Sequence, residues 1–309
     1  MIASSLAVTA AGIQFQNPVL LAAGTAAYGR ELASVIELDA LGGLVTKAVS
    51  LERRHGARAP RVAEFDGGMI NAVGLANPGV EEVRDEHLPW LAEHLQRAKV
   101  LVNVVGNHVE EFAGVVSALD KSPGISGYEL NVSCPNVRAG GMEFGADDSS
   151  LAAVVSGARA ATRKPIFVKL SPTLSNIGGS AKVAAAAGAD GITVVNTLPG
   201  LAIDVETRKP SLGFGTGGVS GPGLLPVGVL ATYRVAQAVE LPIIGVGGIN
   251  KATDVVQYVL AGASLVAMGT AAMQQPRLPE KVIRDLEKWC DRHNVKSLSE
   301  LKGSLQWES

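Results

Sequence analysis

The chain has 309 residues, 47% of them hydrophobic, and its formal net charge at pH 7 is -2. Such a chain can bury a large core, and its length exceeds the usual size of one domain unless the fold repeats a unit. The near-neutral charge excludes a basic footprint for nucleic acid or an anionic membrane, and 4% aromatic residues are too few to stack single-stranded bases.

Two cysteines, Cys134 and Cys290, lie far apart without metal-ligand spacing. We therefore expect neither a disulfide framework nor a metal site. The first residues show no basic start followed by an apolar run, and no apolar stretch approaches the roughly 20 residues of a membrane helix. These features predict a cytoplasmic protein that does not enter a membrane.

The N-terminal segment reads as a hairpin. Leu6–Thr9 and Ile13–Phe15 are short apolar runs separated by Ala10, Ala11 and Gly12. A glycine between two such runs is typical of a tight turn. We expect this hairpin to close the bottom of the fold and to carry no chemistry.

Short, nearly continuous apolar runs then alternate with Ala-rich helical patterns, as in parallel strands that are covered on both faces. The candidate strands are Val19–Gly24, Gly43–Ala48, Val100–Gly106, Gly127–Ser133, Pro165–Ser171, Gly191–Thr197, Pro242–Gly248 and Ser264–Thr270. Helical patterns between them include Arg30–Leu38, Leu151–Ala161 and Gly179–Ala187. Eight strand–helix units predict a single (β/α)8 TIM barrel domain over residues 1–309.

Three connections are longer than the repeat requires. Residues 49–99 follow the second strand and contain a predicted helix pair around Leu88–Leu95. Residues 134–148 and 198–225 follow the fourth and sixth strands and are rich in glycine and proline. All three connections leave the C-terminal ends of strands, so we expect them to lie together over that mouth of the barrel.

Polar side chains or glycines end almost every candidate strand. They are Thr46, Lys47, Asn103, Asn131, Cys134, Lys169, Asn196, Thr197, Gly247, Gly248, Gly269 and Thr270. A buried lysine costs several kcal/mol without an anionic partner, so two lysines at one mouth predict a bound anion. The glycines of the last two strands each precede a helix, which predicts a phosphate site.

Each signal also has a purely structural explanation. Either lysine alone is better explained as a rim residue whose amine reaches water. A glycine pair serves a tight turn equally well. Cys134 taken alone is typical of an inert core residue, and only its place beside Asn131 on a breaking strand favours a site. Cys290 is predicted to be structural, and the five histidines show no ligand spacing.

Six motifs, in order, resemble those of the dihydroorotate dehydrogenase family. They are the segments 71–77, 131–136, 168–172, 195–197, 245–248 and 268–270. The resemblance covers essentially the whole chain. The segment 213–222 and a cysteine in the base position are most similar to the class 1B catalytic subunit, whereas the membrane-associated class has an N-terminal extension and a serine base.

The resemblance implies flavin-dependent oxidation of dihydroorotate to orotate in de novo pyrimidine (UMP) biosynthesis. By the matching motifs, Cys134 would take the C5 proton while FMN N5 takes the C6 hydride, and Lys169 would lie near flavin N1 and O2. The implied substrate-binding residues are Lys47, Asn71, Ala72, Val73, Gly74, Leu75, Asn131, Asn196 and Thr197.

One FMN per chain is implied as well. Its implied contacts are Ala23, Lys47, Ala48, Asn103, Asn131, Lys169, Val195, Gly221, Gly247, Gly248, Gly269 and Thr270. Ala23 stands where many relatives have a serine, which puts that one contact in doubt.

Similarity to class 1B also implies a partner subunit that bears FAD and an iron-sulfur cluster and passes electrons to NAD. The expected assembly is a heterotetramer containing a dimer of catalytic chains. Two alternatives stay within flavin chemistry: a class 1A homodimer that uses fumarate, or a related flavin pyrimidine reductase. A third is a non-redox barrel, a lyase or isomerase that binds a sugar phosphate.

Overall fold

The computed structural model describes residues 5–133, 135–136 and 142–307. Its strands are β1 (Val8–Ala10), β2 (Ile13–Phe15), β3 (Val19–Leu21), β4 (Gly43–Val45), β5 (Val62–Phe65), β6 (Gly68–Asn71), β7 (Lys99–Val104), β8 (Ile125–Asn131), β9 (Pro135–Asn136), β10 (Met142–Glu143), β11 (Ile166–Leu170), β12 (Gly191–Val194), β13 (Leu198–Gly200), β14 (Ile203–Asp204), β15 (Lys209–Pro210), β16 (Gly217–Ser220), β17 (Ile243–Val246) and β18 (Leu265–Met268).

Its α-helices are α1 (Val80–Glu82), α2 (Leu88–His94), α3 (Val109–Leu119), α4 (Asp148–Ala161), α5 (Ile177–Ala186), α6 (Leu225–Ala236), α7 (Ala252–Leu260), α8 (Thr270–Gln274) and α9 (Leu278–Arg292). Short 3-10 turns cover Leu38–Ala40, Phe144–Ala146, Pro222–Leu224 and Leu298–Leu301. Within the described residues no helix combines the length and the apolar character that crossing a membrane requires.

Eight parallel strands close into a barrel. Their order around the barrel is β3, β4, β7, β8, β11, β12, β17 and β18, and β18 pairs back with β3. Helices pack around it, so the predicted (β/α)8 TIM barrel is confirmed. All eight candidate strands are present, but each ends earlier than predicted because its last residues leave the ladder.

Side-chain alternation along the strands separates two apolar layers. Leu101 and Phe167 belong to an inner cluster, whereas Val100 and Val168 pack in the outer cluster with the helices. Because strand side chains alternate with a period of two, residues two positions beyond an inner residue also face inward. This alternation aims the polar residues near the strand ends into the C-terminal mouth.

The predicted hairpin closes the opposite end. β1 and β2 pair antiparallel, with Val8 opposite Phe15. Val8, Ala10 and Phe15 are buried in the inner cluster together with Leu101 and Phe167. The hairpin is confirmed, with its first strand two residues later than predicted.

Two of the three long connections combine over the mouth. β5 and β6 come from residues 49–99, β13 and β16 come from residues 198–225, and together they form a four-stranded sheet in the order β13-β16-β6-β5. In the connection 134–148 the described strands β9 and β10 pair antiparallel. Cys134 and residues 137–141 lie outside the described residues.

Two helix predictions are wrong. In Arg30–Leu38, the backbone makes only two hydrogen bonds with helical i to i−4 spacing, from the N–H of Ala33 to Gly29 O and from the N–H of Ile36 to Leu32 O. Because these two bonds are not consecutive and the other backbone bonds span two or three residues, the segment forms turns and no α-helix. So short a segment gains too little from its own hydrogen bonds to nucleate a helix. The helix pair around Leu88–Leu95 is one helical run, in which a π-helical turn, Val83–His87, joins α1 to α2.

Candidate active site

A large cavity opens at the C-terminal mouth of the barrel. Its volume is about 870 Å³, and its walls come from the strand ends and the four-stranded sheet. Small-molecule sites usually measure roughly 300–1,000 Å³. This cavity therefore has room for a nucleotide-sized cofactor together with a small substrate.

The cavity gathers every described residue that the sequence singled out for substrate or cofactor binding. These lining residues are Ala23, Lys47, Ala48, Asn71, Ala72, Val73, Gly74, Leu75, Asn103, Asn131, Lys169, Val195, Asn196, Thr197, Gly221, Gly247, Gly248, Gly269 and Thr270. Cys134 lies outside the described residues, but Ser133, which precedes it, lines the cavity. The individual roles of these side chains stay predictions.

The two lysines have different surroundings. Lys169 is 6% exposed, and its Nζ lies 3.9 Å from Oε1 of Glu129, which is 1% exposed. For Lys47, which is partly buried, no carboxylate among the described residues lies within ion-pair distance. The expectation of a bound anion therefore rests on Lys47, because the protein itself supplies an anionic partner for Lys169.

Glu129 is a residue that the motif comparison missed. It does not line the cavity, and its Oε1 accepts a hydrogen bond of 2.7 Å from Nδ2 of Asn103. The sequence did contain a sign of its position: side chains of β8 alternate between the two faces of the strand, so Glu129 faces inward like Asn131, two residues later. A carboxylate at an inward position marks a charge that must find a partner inside the barrel.

Amide groups form a second part of the wall. Nδ2 of Asn196 donates to Oδ1 of Asn131 over 3.3 Å, and the backbone N–H of Thr197 donates to Oδ1 of Asn196 over 2.9 Å. Oδ1 of Asn103 is buried and has no hydrogen-bond partner in the described structure. Since the NH₂ of Asn103 is used by Glu129, this free acceptor suits a ligand N–H.

The glycines of the last two strands form the other end of the cavity. Gly247 and Gly248 have φ values of 127° and 72°, and a Cβ on Gly248 would overlap the backbone nitrogen of Leu225. Oγ1 of Thr270 donates to Oγ of Ser220 over 2.7 Å. The glycine end therefore offers backbone and hydroxyl groups to an anion. Among the described lining residues, Glu143 is the one carboxylate that could repel an anion.

Glu143 is a second residue that the sequence did not reveal. Burial raises the pKa of its carboxyl group, Oγ of Ser171 lies 3.5 Å from Oε1, and Oε2 has no partner in the described structure. It lies on β10, which pairs with β9 directly after Cys134. The connection has no hydrophobic period, so nothing in the pattern placed Glu143 in the wall.

The model of one protein family matches residues 5–289, and its description is dihydroorotate dehydrogenase. The chain belongs to the dihydroorotate dehydrogenase family. This confirms the resemblance seen in the motifs. Membership of the family implies a flavin cofactor.

Curated relatives extend the match to nearly the whole chain. A protein of Pelobacter propionicus is 43% identical over 97% of this chain and 98% of its own length. Relatives from Desulforudis audaxviator and Anoxybacillus flavithermus are 46% and 44% identical over 96% of this chain, and over 96% and 95% of their own lengths. Each is named the catalytic subunit of dihydroorotate dehydrogenase B (NAD(+)), which agrees with the class inferred from the sequence.

Proposed function

We propose that this chain is the catalytic subunit of an NAD-linked dihydroorotate dehydrogenase and oxidises dihydroorotate to orotate in pyrimidine biosynthesis. The observation that carries the proposal is the cavity at the barrel mouth, since residues from separate motifs of a matched family converge on it. Family membership alone would leave the site unassigned. The convergence at the C-terminal mouth supports the assignment, because that is where barrel enzymes do their chemistry.

The flavin is proposed to be FMN. The glycine end of the cavity suits one phosphate monoester, because Gly247, Gly248 and Gly269 bring backbone close to it and Thr270 adds a hydroxyl. The unpartnered Oδ1 of Asn103 and the ammonium of Lys169 suit the polar edge of the flavin ring. Bound FMN would supply the acceptor for the hydride at C6 of the substrate.

The substrate is a small ring with a carboxylate, ring N–H groups and ring carbonyls. Lys47 supplies a cation without a carboxylate partner among the described residues, so it is suited to the substrate carboxylate. The amides of Asn71, Asn131 and Asn196 line the same cavity and can each donate and accept. We assign the C5 proton to Cys134 on the sequence motif alone, and burial of the cavity beneath the four-stranded sheet would limit water access to that step.

Electrons are proposed to leave through a partner subunit that carries FAD and an iron-sulfur cluster and reduces NAD, within a heterotetramer of two catalytic and two partner chains. The name "catalytic subunit" of the relatives supports a second subunit. Exposed apolar residues on the segment 201–214 also support burial in a complex: Leu201, Ile203, Val205 and Phe214 are 54%, 57%, 76% and 71% exposed. A single barrel domain and a cytoplasmic location remain proposals from the sequence.

An anaerobic titration tests the function. The purified chain should show flavin absorbance that bleaches on addition of dihydroorotate, and it should reduce NAD only after the partner subunit is added. Rapid turnover with fumarate by the isolated chain would favour the class 1A alternative. A colourless protein that cannot be reconstituted with FMN would contradict the proposal and favour the sugar-phosphate barrel.

A further inference from the structure

A charge network lies beneath the floor of the cavity. Glu129 on β8 accepts from the Asn103 side chain on β7 over 2.7 Å and lies 3.9 Å from the Lys169 ammonium on β11. The three strands are neighbours in the barrel, with Asn103 in register with Glu129, and Lys169 in register with Asn131. One carboxylate therefore contacts two side chains that both line the cavity.

Glu129 itself is separated from the cavity. It is 1% exposed and absent from the lining residues, whereas Asn103 and Lys169 line the wall. The Lys169 ammonium makes no hydrogen bond to another described residue, so its donors remain available to a ligand in the cavity that Lys169 lines. Asn103 is oriented unambiguously: its NH₂ must face the carboxylate, which leaves Oδ1 as the free acceptor.

Stability of the fold does not by itself explain this arrangement. Replacing a buried ion pair by apolar residues of similar volume is often neutral or stabilising, because desolvation offsets the attraction. What the carboxylate does provide is orientation and charge: it holds a cation and an amide in defined positions at one wall of the cavity.

We propose that Glu129 is a positioning residue that fixes the Lys169 ammonium and the Asn103 amide against the cofactor and thereby sets the affinity and the reduction potential of the bound flavin. The inference rests on the proposed function, because it assumes that FMN occupies the cavity. Glu129 acts through its two partners and touches neither cofactor nor substrate.

The test is Glu129→Gln, which keeps the shape of the side chain and removes its charge. We expect FMN to bind the flavin-stripped variant on the order of tenfold more weakly or worse, as when the supporting shell of a site is removed. The midpoint potential of bound flavin should shift to more positive values, since the Lys169 ammonium is then no longer neutralised by a carboxylate and stabilises the anionic reduced form more. Glu129→Asp retains the charge and should lie between wild type and Glu129→Gln in both measurements.

Asp120→Asn is a matched control. Oδ1 of Asp120 lies 3.5 Å from Nζ of Lys164. This acid–lysine pair precedes β8 and β11, the strands that carry Glu129 and Lys169, but neither residue of the pair lines the cavity. Asp120→Asn should leave FMN affinity and potential within twofold of wild type.

A double-mutant comparison separates the routes. With Lys169→Met in place, adding Glu129→Gln should weaken FMN binding no further, because the amide oxygen of the glutamine can still accept from Asn103. The same addition should raise the urea midpoint of the flavin-free protein because an unpaired buried carboxylate is removed. Equal weakening with and without Lys169 would overturn the inference, as would a Glu129→Gln variant within twofold of wild type in FMN affinity and potential. Failure of the wild-type chain itself to bind FMN would overturn the proposed function and this inference together.

Discussion

Tyr258 links an outer helix to the glycine end of the cavity. It lies on α7 with no exposed surface, and its hydroxyl donates to the carbonyl oxygen of Gly247 over 2.8 Å. Its ring fills the space beside Gly245, where a Cβ would overlap it. Tyr258→Phe keeps the ring and removes only this hydrogen bond, so it isolates the contribution of the bond to the cavity wall.

The expected cost follows from the two groups involved. A hydrogen bond contributes about 0.5–1.5 kcal/mol net, and a buried carbonyl left without its donor costs about 1–3 kcal/mol. We therefore expect Tyr258→Phe to lower the free energy of unfolding by about 1–3 kcal/mol, with little change in the core because the ring stays. FMN affinity should fall a few-fold, since Gly247 is no longer held.

Urea unfolding of the flavin-free protein, followed by circular dichroism, measures the first effect, and fluorescence titration with FMN measures the second. Tyr233→Phe is the control: Tyr233 packs edge-on against Trp307, and its hydroxyl makes no hydrogen bond to the described residues. The control should stay within about 0.5 kcal/mol of wild type. If Tyr258→Phe changes stability no more than Tyr233→Phe does, the bond to Gly247 does not support the wall and the reasoning is refuted.

Three further predictions concern the site. Cys134→Ala should slow dihydroorotate oxidation at neutral pH by about 100-fold or more while the protein stays yellow, and near-wild-type turnover would show that the assigned base is wrong. Lys47→Met should raise the KM for dihydroorotate roughly 10- to 100-fold, since a charged hydrogen bond is lost. Lys182→Met, on the exposed side of α5, should leave the KM unchanged. Equal KM values for the two variants would contradict the assignment of Lys47 to the substrate carboxylate. Burial raises the pKa of the Glu143 carboxyl group in the folded chain, so the folded chain binds the proton more tightly than the unfolded chain does. The stability gained from this proton is complete below the unfolded pKa of about 4.3 and is lost as pH rises through the folded pKa. Urea midpoints should therefore show Glu143→Gln gaining stability relative to wild type from acid to neutral pH, and a pH-independent difference would refute the shift.

The barrel was predictable because its signals repeat. Each strand carries its own apolar run, and eight runs with helical segments between them leave few folds to choose from. Their positions at strand ends predicted that Lys47, Asn103 and Lys169 lie at one mouth of the barrel. In the structure all three line the same cavity. A period of two along the strand sufficed for this, because it assigns a face without knowledge of the partner strand.

Local helix patterns were less informative. Arg30–Leu38 has the composition of a helix, yet tertiary contacts decide such short segments: the backbone N–H of Glu37 donates to the side chain of Glu280 on α9, and the segment closes in turns. The connection that contains Glu143 gave no signal at all. Its position in the wall depends on pairing between β9 and β10, which no local pattern specifies.

Glu129 shows how the fold converts a local pattern into a property of the site. Phe15, Leu101 and Phe167 belong to the inner apolar layer, which also contains Val8 and Ala10 of the N-terminal hairpin, so their burial limits the access of water to the carboxylate from the barrel bottom. The charge must then be balanced from the side of the mouth, where Lys169 lies. The hairpin that covers the bottom of the barrel thus directs the electrostatic effect of the buried carboxylate toward the cavity. We expect a change at the hairpin that admits water to weaken the electrostatic attraction between Glu129 and Lys169, even though both side chains remain in place, because water raises the local dielectric constant.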